Sequence, residues 1–329
     1  TLKYAELIAE ISRYAFGLRS IGVKAEDRVG ILADNKSALE FTVLSLAINR
    51  LGATFVPLNT RYSSRELHHI LDRAHCRLVI LDSKWRPVLD DAVRQLEWDV
   101  DVVHITDDGP HGATTLADLV VAESVAVNKA STPDWPAIDM QTYTEVFSTS
   151  GTTGLPKAAA FTWTQAAASA HVYKTMFGLA SGDVMQCPFP VYVTAATLCG
   201  AMPILSAGGH LVIDDMLDVE SIVARMTKYK ATSYYSVPAF YIFLLDHLEK
   251  HEVELPNMKR FIYGGSAMPL ATIQKIRQLY PDIDTIQTFG GTETGATGTI
   301  LYPDMALSKL DSVGVPMPFT ETKLVDDDG

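Results

Sequence analysis

The sequence predicts an α/β fold of two stacked, mostly parallel αβ subdomains, with a small β element near the C-terminal end. Three observations predict it. Short apolar runs alternate with helical stretches from residue 28 onward. A polar stretch with two prolines, 128–141, interrupts that alternation and reads as a connector between subdomains. The alternation then resumes, and β-α-β-α-β order demands parallel strands with helices on both faces.

The elements follow in order. Tyr4, Leu7, Ile8, Ile11 and Leu18 recur at helical spacing, so the chain opens inside an amphipathic helix. "RVGIL" (28–32) reads as a buried strand, 37–50 as a helix and "ATFVP" (53–57) as the next strand. Ser63 and Glu66 have capping-box spacing and open a helix over 63–75. "RLVIL" (77–81) is the third strand. Beyond the connector, "TEVFS" (144–148) is a strand, followed by a Gly/Thr/Ser loop and a helix near 164–177. "HLVI" (210–213), "TSYYS" (232–236), "RFIYG" (260–264) and "DTIQTF" (284–289) are further strands. The last segment, "SVGVPMPFTETKLVDDDG", reads as β with a turn at its acidic end.

Composition bounds the function. The 329 residues carry a net charge of −12, which argues against a nucleic-acid binder with its basic face. No apolar run has the length of a transmembrane helix, and the start lacks a signal-peptide pattern. Cys76, Cys187 and Cys199 form neither a metal-ligand spacing nor a disulfide framework. They read as buried free thiols of a reducing, cytoplasmic compartment.

The segment Ser148 to Lys157, "STSGTTGLPK", carries the chemistry. Glycines let backbone N–H groups approach an anion, hydroxyls add donors, and a lysine supplies charge, a set suited to polyphosphate. The same composition also fits a flexible surface loop. It is not a Walker A loop: Pro156 stands where that motif needs its second glycine, and Ala158 where it needs a Mg²⁺-binding hydroxyl.

This segment closely resembles the signature loop "TSGTTGxPKG" of the adenylate-forming superfamily of acyl-CoA synthetases, peptide-synthetase adenylation domains and luciferases. The match runs unbroken from Thr149 to Lys157 and departs at Ala158, where the family has glycine. "QTFGGTETGA" (287–296) resembles the family's "YGxTE" element, with Phe289 in place of its tyrosine. Alone, Glu293 reads as a solvated loop carboxylate; its place after a strand, between glycines, favours a site. "YGGSAMP" (263–269) and the C-terminal stretch are similar to further family segments. "GATFVPLNTRYSSREL" resembles the acyl-CoA synthetase version of the fold.

The resemblance implies the large N-terminal AMP-binding domain of such an enzyme, with a small C-terminal domain, its lysine and a ribose-binding aspartate outside these residues. On that reading the 329 residues alone are weak or inactive. It implies that Thr149, Ser150, Gly151, Thr152, Thr153, Gly154 and Lys157 take the β/γ-phosphates of ATP. Gly264, Gly265 and Ser266 are candidates for lining the adenine and acyl sites, and Phe289, Gly290 and Gly291 for binding the nucleotide, with Phe289 beside the adenine. Thr292 takes the α-phosphate and Glu293 holds Mg²⁺.

Val191, Tyr192, Thr194 and Ala195, in the segment 187–205, correspond to the wall of the acyl pocket. The segment has no aspartate to pair with a substrate ammonium, which favours a fatty or aryl acid over an amino acid. The family's histidine is replaced by Val191, or by Tyr192 if the register slips. The implied product is an acyl-adenylate, passed to the thiol of CoA or of an acyl carrier protein. A non-catalytic nucleotide-binding module of the same fold is the alternative.

Overall fold

The computed structural model describes residues 1–106, 108–109, 111–124, 134–149, 154–215, 218–295, 297–309 and 312–326. It divides into two compact units. One comprises Thr1–Ala166 with Val191–Val193, and the other Ala167–Pro190 with Thr194–Gly329.

The first unit is built on strands β1 (Arg28–Leu32), β2 (Thr54–Pro57), β3 (Leu78–Leu81), β4 (Asp101–His104), β5 (Tyr143–Thr149) and β6 (Lys157–Thr162). Their order is β4-β3-β1-β2-β5-β6. All neighbours are parallel except β6, which returns antiparallel to β5. Helix α1 (Tyr4–Ser20) precedes β1, helices α2 (Ala38–Arg50), α3 (Ser64–Ala74), α4 (Arg86–Val93) and α5 (Leu116–Ser124) make the connections, and α6 (Trp163–Met176) follows β6. Every residue of β2 and β3 is buried, which explains why all but Thr54 are apolar. Leu67, Ile70 and Leu71 of α3 and Leu89 of α4 pack on Val56, Val79, Leu81 and Val146. Phe41, Phe55, Phe147 and Phe161 form a chain of edge-to-face rings with centroids 5.4, 6.3 and 6.0 Å apart. The Ser63–Glu66 capping box is formed: Glu66 Oε2 accepts from Ser63 N at 2.8 Å.

The second unit is built on β7 (Val184–Cys187), β8 (His210–Ile213), β9 (Ser233–Ser236), β10 (Arg260–Gly264), β11 (Asp284–Gly290), β12 (Gly298–Leu301) and β13 (Val315–Pro316). The order is β13-β12-β11-β10-β9-β7-β8, parallel from β8 to β11 and antiparallel through β12 and β13. Between β7 and β8 run α7 (Thr194–Ala196), a π-helical turn (Thr197–Ala201) and α8 (Met202–Ser206). Helices α9 (Val219–Lys228), α10 (Pro238–Lys250) and α11 (Leu270–Leu279) bury Ile222, Leu244, Leu245, Ile273 and Ile276 against Tyr234, Phe261 and Tyr263.

Several expectations need correction. The units divide within α6, after Ala166, and the described part of the expected connector 128–141 lies inside the first unit. The reason is topological: the chain after it adds β5 beside β2 and then β6, and only then leaves that sheet. Lys157 and Ala158, expected in a loop, begin β6. The β reading of the C-terminal stretch holds only for Val315–Pro316; residues 321–326 have no regular structure. The three cysteines are free and buried, and burial pushes each thiol up to about 12. No helix among the described residues is long and apolar enough to cross a membrane.

Candidate functional site

In the first unit, β5 carries Ser148 and Thr149 to the carboxyl end of the parallel sheet, where open α/β folds bind ligands. Thr149 is the register partner of Lys157, and Ser148 of Ala158, so the two ends of the signature segment lie on neighbouring antiparallel strands. Ser150, Gly151, Thr152 and Thr153 lie outside the described residues. Gly154 is exposed, and a Cβ there would meet nothing within 4 Å. Lys157 is exposed, and among the described residues its side chain makes no ion pair.

Sequence reasoning passed over Tyr62. Burial raises its phenol pKa, opposed by hydrogen bonds with Ser148 and Asn59. The Ser148 contact fixes the residue that leads into the loop. The signal was present: Tyr62 lies in the segment that resembles acyl-CoA synthetases, directly before the helix-capping Ser63.

In the second unit, β10 and β11 end side by side. A Cβ on Gly264 would come within 2.5 Å of Thr288 Oγ1, so only glycine permits this close approach of the strand ends. Gly265 follows at φ +83° over open space, and Ser266 is exposed. On β11, Phe289 is 56% exposed, an unusual place for a large apolar ring and a suitable one for stacking a purine. Gly290 and Gly291 then lead into a 3-10 turn, Thr292–Thr294. A Cβ on Gly291 would stand 3.3 Å from Glu293 Oε2, so the missing side chain makes room for that carboxylate. Thr294 Oγ1 accepts from Gly291 N at 3.2 Å and also bonds the Thr297 carbonyl at 2.6 Å. Ser169 Oγ, buried on α6, donates to the Gly295 carbonyl at 3.0 Å. The turn is therefore held from both ends, with Glu293 exposed at its crest.

The four residues expected to wall an acyl pocket fall on either side of the division between the units. Val191 and Tyr192 belong to the first unit, where Val191 N donates to Asn35 Oδ1 at 2.8 Å. Thr194 and Ala195 open α7 in the second unit. The order of the second sheet reverses between β7, which connects to β8, and β9, which connects to β10. Crevices for ligands form at such a switch point. There Phe189 packs edge-on against Tyr235, with centroids 4.9 Å apart. The Tyr235 hydroxyl is fully buried, 3.5 Å from Thr288 Oγ1.

No cluster of three or more His, Cys, Asp or Glu side chains that could cage a metal is found among the described residues. One exposed carboxylate, Glu293, fits a Mg²⁺ ion that takes its other ligands from substrate phosphates and water.

The family model described as "AMP-binding enzyme" matches residues 1–329, the whole chain. The chain belongs to the AMP-binding enzyme family. Among curated relatives, a long-chain-fatty-acid–CoA ligase, FadD13 of Mycobacterium tuberculosis, is 29% identical over 335 residues. The match covers 100% of this chain and 62% of the relative. A feruloyl-CoA synthase of Amycolatopsis is 26% identical with the same coverage. The chain thus spans about three fifths of the length of these AMP-binding relatives. Among solved structures, the inhibitor-bound N-terminal domain of FACL13 from Mycobacterium tuberculosis superposes with a TM-score of 0.85 at 27% identity. That superposition covers 99% of this chain and 78% of the other.

Proposed function

We propose that the protein carrying this chain activates a carboxylic acid with ATP, forming an acyl-adenylate and pyrophosphate, and then passes the acyl group to a thiol. The observation that carries the proposal is a pair of phosphate-suited elements. Each ends a strand at the carboxyl edge of its sheet: Thr149–Lys157 in one unit and Phe289–Glu293 in the other.

On this reading Lys157 and the loop Thr149–Gly154 hold the β- and γ-phosphates, and Thr292 donates to an α-phosphate oxygen. Phe289, Gly290, Gly291, Gly264, Gly265 and Ser266 form the nucleoside site. Bound Mg²⁺, held by Glu293, would offset negative charge on the phosphates. The reaction needs no protein nucleophile: the substrate carboxylate attacks the α-phosphorus, and the protein positions the reactants and stabilises charge on the phosphoryl oxygens. Segment 187–205 contains no acidic residue, so an amino acid would leave its ammonium unpaired at a cost of several kcal/mol. A fatty or aryl acid therefore fits better. That class agrees with the named activities of the fatty-acid and feruloyl relatives. CoA is the acceptor those names support, with a carrier-protein pantetheine as the other thiol of the same chemistry.

Lys157→Ala tests the loop. The exposed side chain opens no cavity, so stability should move by about 0.5 kcal/mol or less. Loss of a cation where charge develops should slow acid-dependent ATP–pyrophosphate exchange roughly 30- to 1,000-fold. An unchanged exchange rate at saturating ATP would remove the loop from the phosphate site.

A further inference from the structure

We infer that Thr194 is a positioning residue for Thr292, fixing the direction in which the Thr292 hydroxyl donates. The inference rests on the reading of Thr292 as the α-phosphate donor.

The two side chains share a hydrogen bond, Oγ1 to Oγ1, at 2.9 Å within the second unit. They are 98 residues apart in sequence. Thr194 is the first residue of α7 and only 7% exposed, so water competes little for its hydroxyl. Thr292 is half-buried at the start of the 3-10 turn.

Apart from the Gly295 N–H bond to the Thr292 carbonyl, the bonds that secure this turn act on its other residues. Thr294 ties Gly291 and Thr297 together, and Ser169 holds the Gly295 carbonyl. Among the described residues, the Thr292 hydroxyl finds its hydrogen-bond partner in Thr194. Without that partner a threonine hydroxyl rotates freely about its C–O bond.

The chemistry of an anion selects one direction for the shared proton. A hydroxyl has one donor hydrogen and two lone pairs. If Thr292 donated to Thr194, it would present only lone pairs to a phosphoryl oxygen, and the two would repel. If Thr194 donates to Thr292, the Thr292 proton is free to point outward to the phosphate. A hydroxyl that accepts a hydrogen bond is also polarised into a better donor. The pair therefore works as a short relay of orientation, with no net proton movement.

This gives Thr194 a role different from that of a pocket wall. It lies in the segment 187–205 that otherwise reads as the acid site, so one hydroxyl joins the acid segment to the phosphate element.

The test is a double-mutant cycle on the natural protein, read by acid-dependent ATP–pyrophosphate exchange with ATP titrated at saturating acid. Thr292→Ala is expected to slow exchange about 100-fold, the usual effect of losing one oxyanion donor. Thr194→Val is expected to lower kcat about 10-fold with the KM for ATP nearly unchanged, since the bond counts most as charge develops. Thr194→Ser, which keeps the hydroxyl, should restore the rate to within about threefold, and Thr194→Val/Thr292→Ala should be no slower than Thr292→Ala alone.

Three outcomes overturn the inference. Wild-type exchange in Thr194→Val, with Thr292→Ala impaired, removes it while leaving the phosphate reading intact. An unchanged rate in Thr292→Ala removes the phosphate reading and the inference together. Equal losses in the Val and Ser variants, accompanied by a lower thermal midpoint, show that Thr194 serves the fold alone.

Discussion

Raising the pH from about 5 to about 9 is expected to lower the thermal midpoint of the protein, and Glu145→Leu is expected to abolish most of that dependence. Glu145 lies on β5, four residues before Thr149, and is only 5% exposed. Its register partners are Phe55 on β2 and Phe161 on β6, two rings of the aromatic chain. Burial alone pushes its carboxyl from 4.5 up to about 8, with no charged group acting on it. Unfolded, the group ionises near 4.5; folded, it keeps its proton until about 8. Between these values the folded chain binds one more proton than the unfolded chain, so stability falls as pH rises. The stabilisation is complete below the lower value and lost through the upper one. The difference between pH 4 and pH 9 is on the order of 4 kcal/mol. Leucine has nearly the same reach and no proton to lose. Glu145→Leu should therefore melt higher than the parent at pH 9 and show a flatter profile. Parallel profiles for the two proteins would contradict a buried neutral carboxyl.

Asp183→Ala is expected to cost about 1–3 kcal/mol, the usual effect of leaving buried hydrogen-bond donors without their acceptor. Asp183 is 2% exposed and stands just before β7. It accepts from Ala180 N at 2.9 Å, Thr232 Oγ1 at 2.9 Å, Lys259 Nζ at 2.8 Å and Arg260 at 3.5 Å. One carboxylate thus ties together the amino ends of β7, β9 and β10, the edge opposite the nucleotide elements. Burial raises its pKa, but the bonds from Lys259, Ala180 and Thr232 and the Arg260 charge outweigh it, and the net shift is downward. Its contribution is present above the ordinary carboxylate range and lost as pH falls through the lower folded value. The dependence is opposite in sign to that of Glu145. Thermal melting of Asp183→Ala at neutral pH checks the cost; a midpoint within a degree or two of the parent would contradict it.

Much of the fold was legible because parallel strands buried on both faces are largely apolar, as in β1, β2 and β3. The strands that escaped lacked that signature. β6 is an edge strand of lysine and alanines with one buried residue, Phe161. β7 carries Gln186, fully buried because its amide donates to Asp214 and to the Ile222 carbonyl. β4 opens on the exposed Asp101, and β12 needs Gly298, where a Cβ would stand 2.2 Å from the Phe289 carbonyl. The family was legible from the glycines, hydroxyls and lysine of the signature segment. The contacts Tyr62–Ser148 and Thr194–Thr292 were not, because each joins residues that meet only after the sheets form. The pocket segment showed the same limit: nothing in "PVYVTAA" announces that Val191–Val193 pack with one unit and Thr194 with the other.

On the proposed function, this AMP-binding protein adenylates a carboxylic acid that carries no ammonium. ATP–pyrophosphate exchange by the natural protein, assayed against a panel of fatty, aryl and amino acids, tests it most directly. The account predicts exchange that depends on a fatty or aryl acid and collapses in Lys157→Ala. Exchange driven by an amino acid, or none with any member of the panel by a protein that binds ATP, would contradict it.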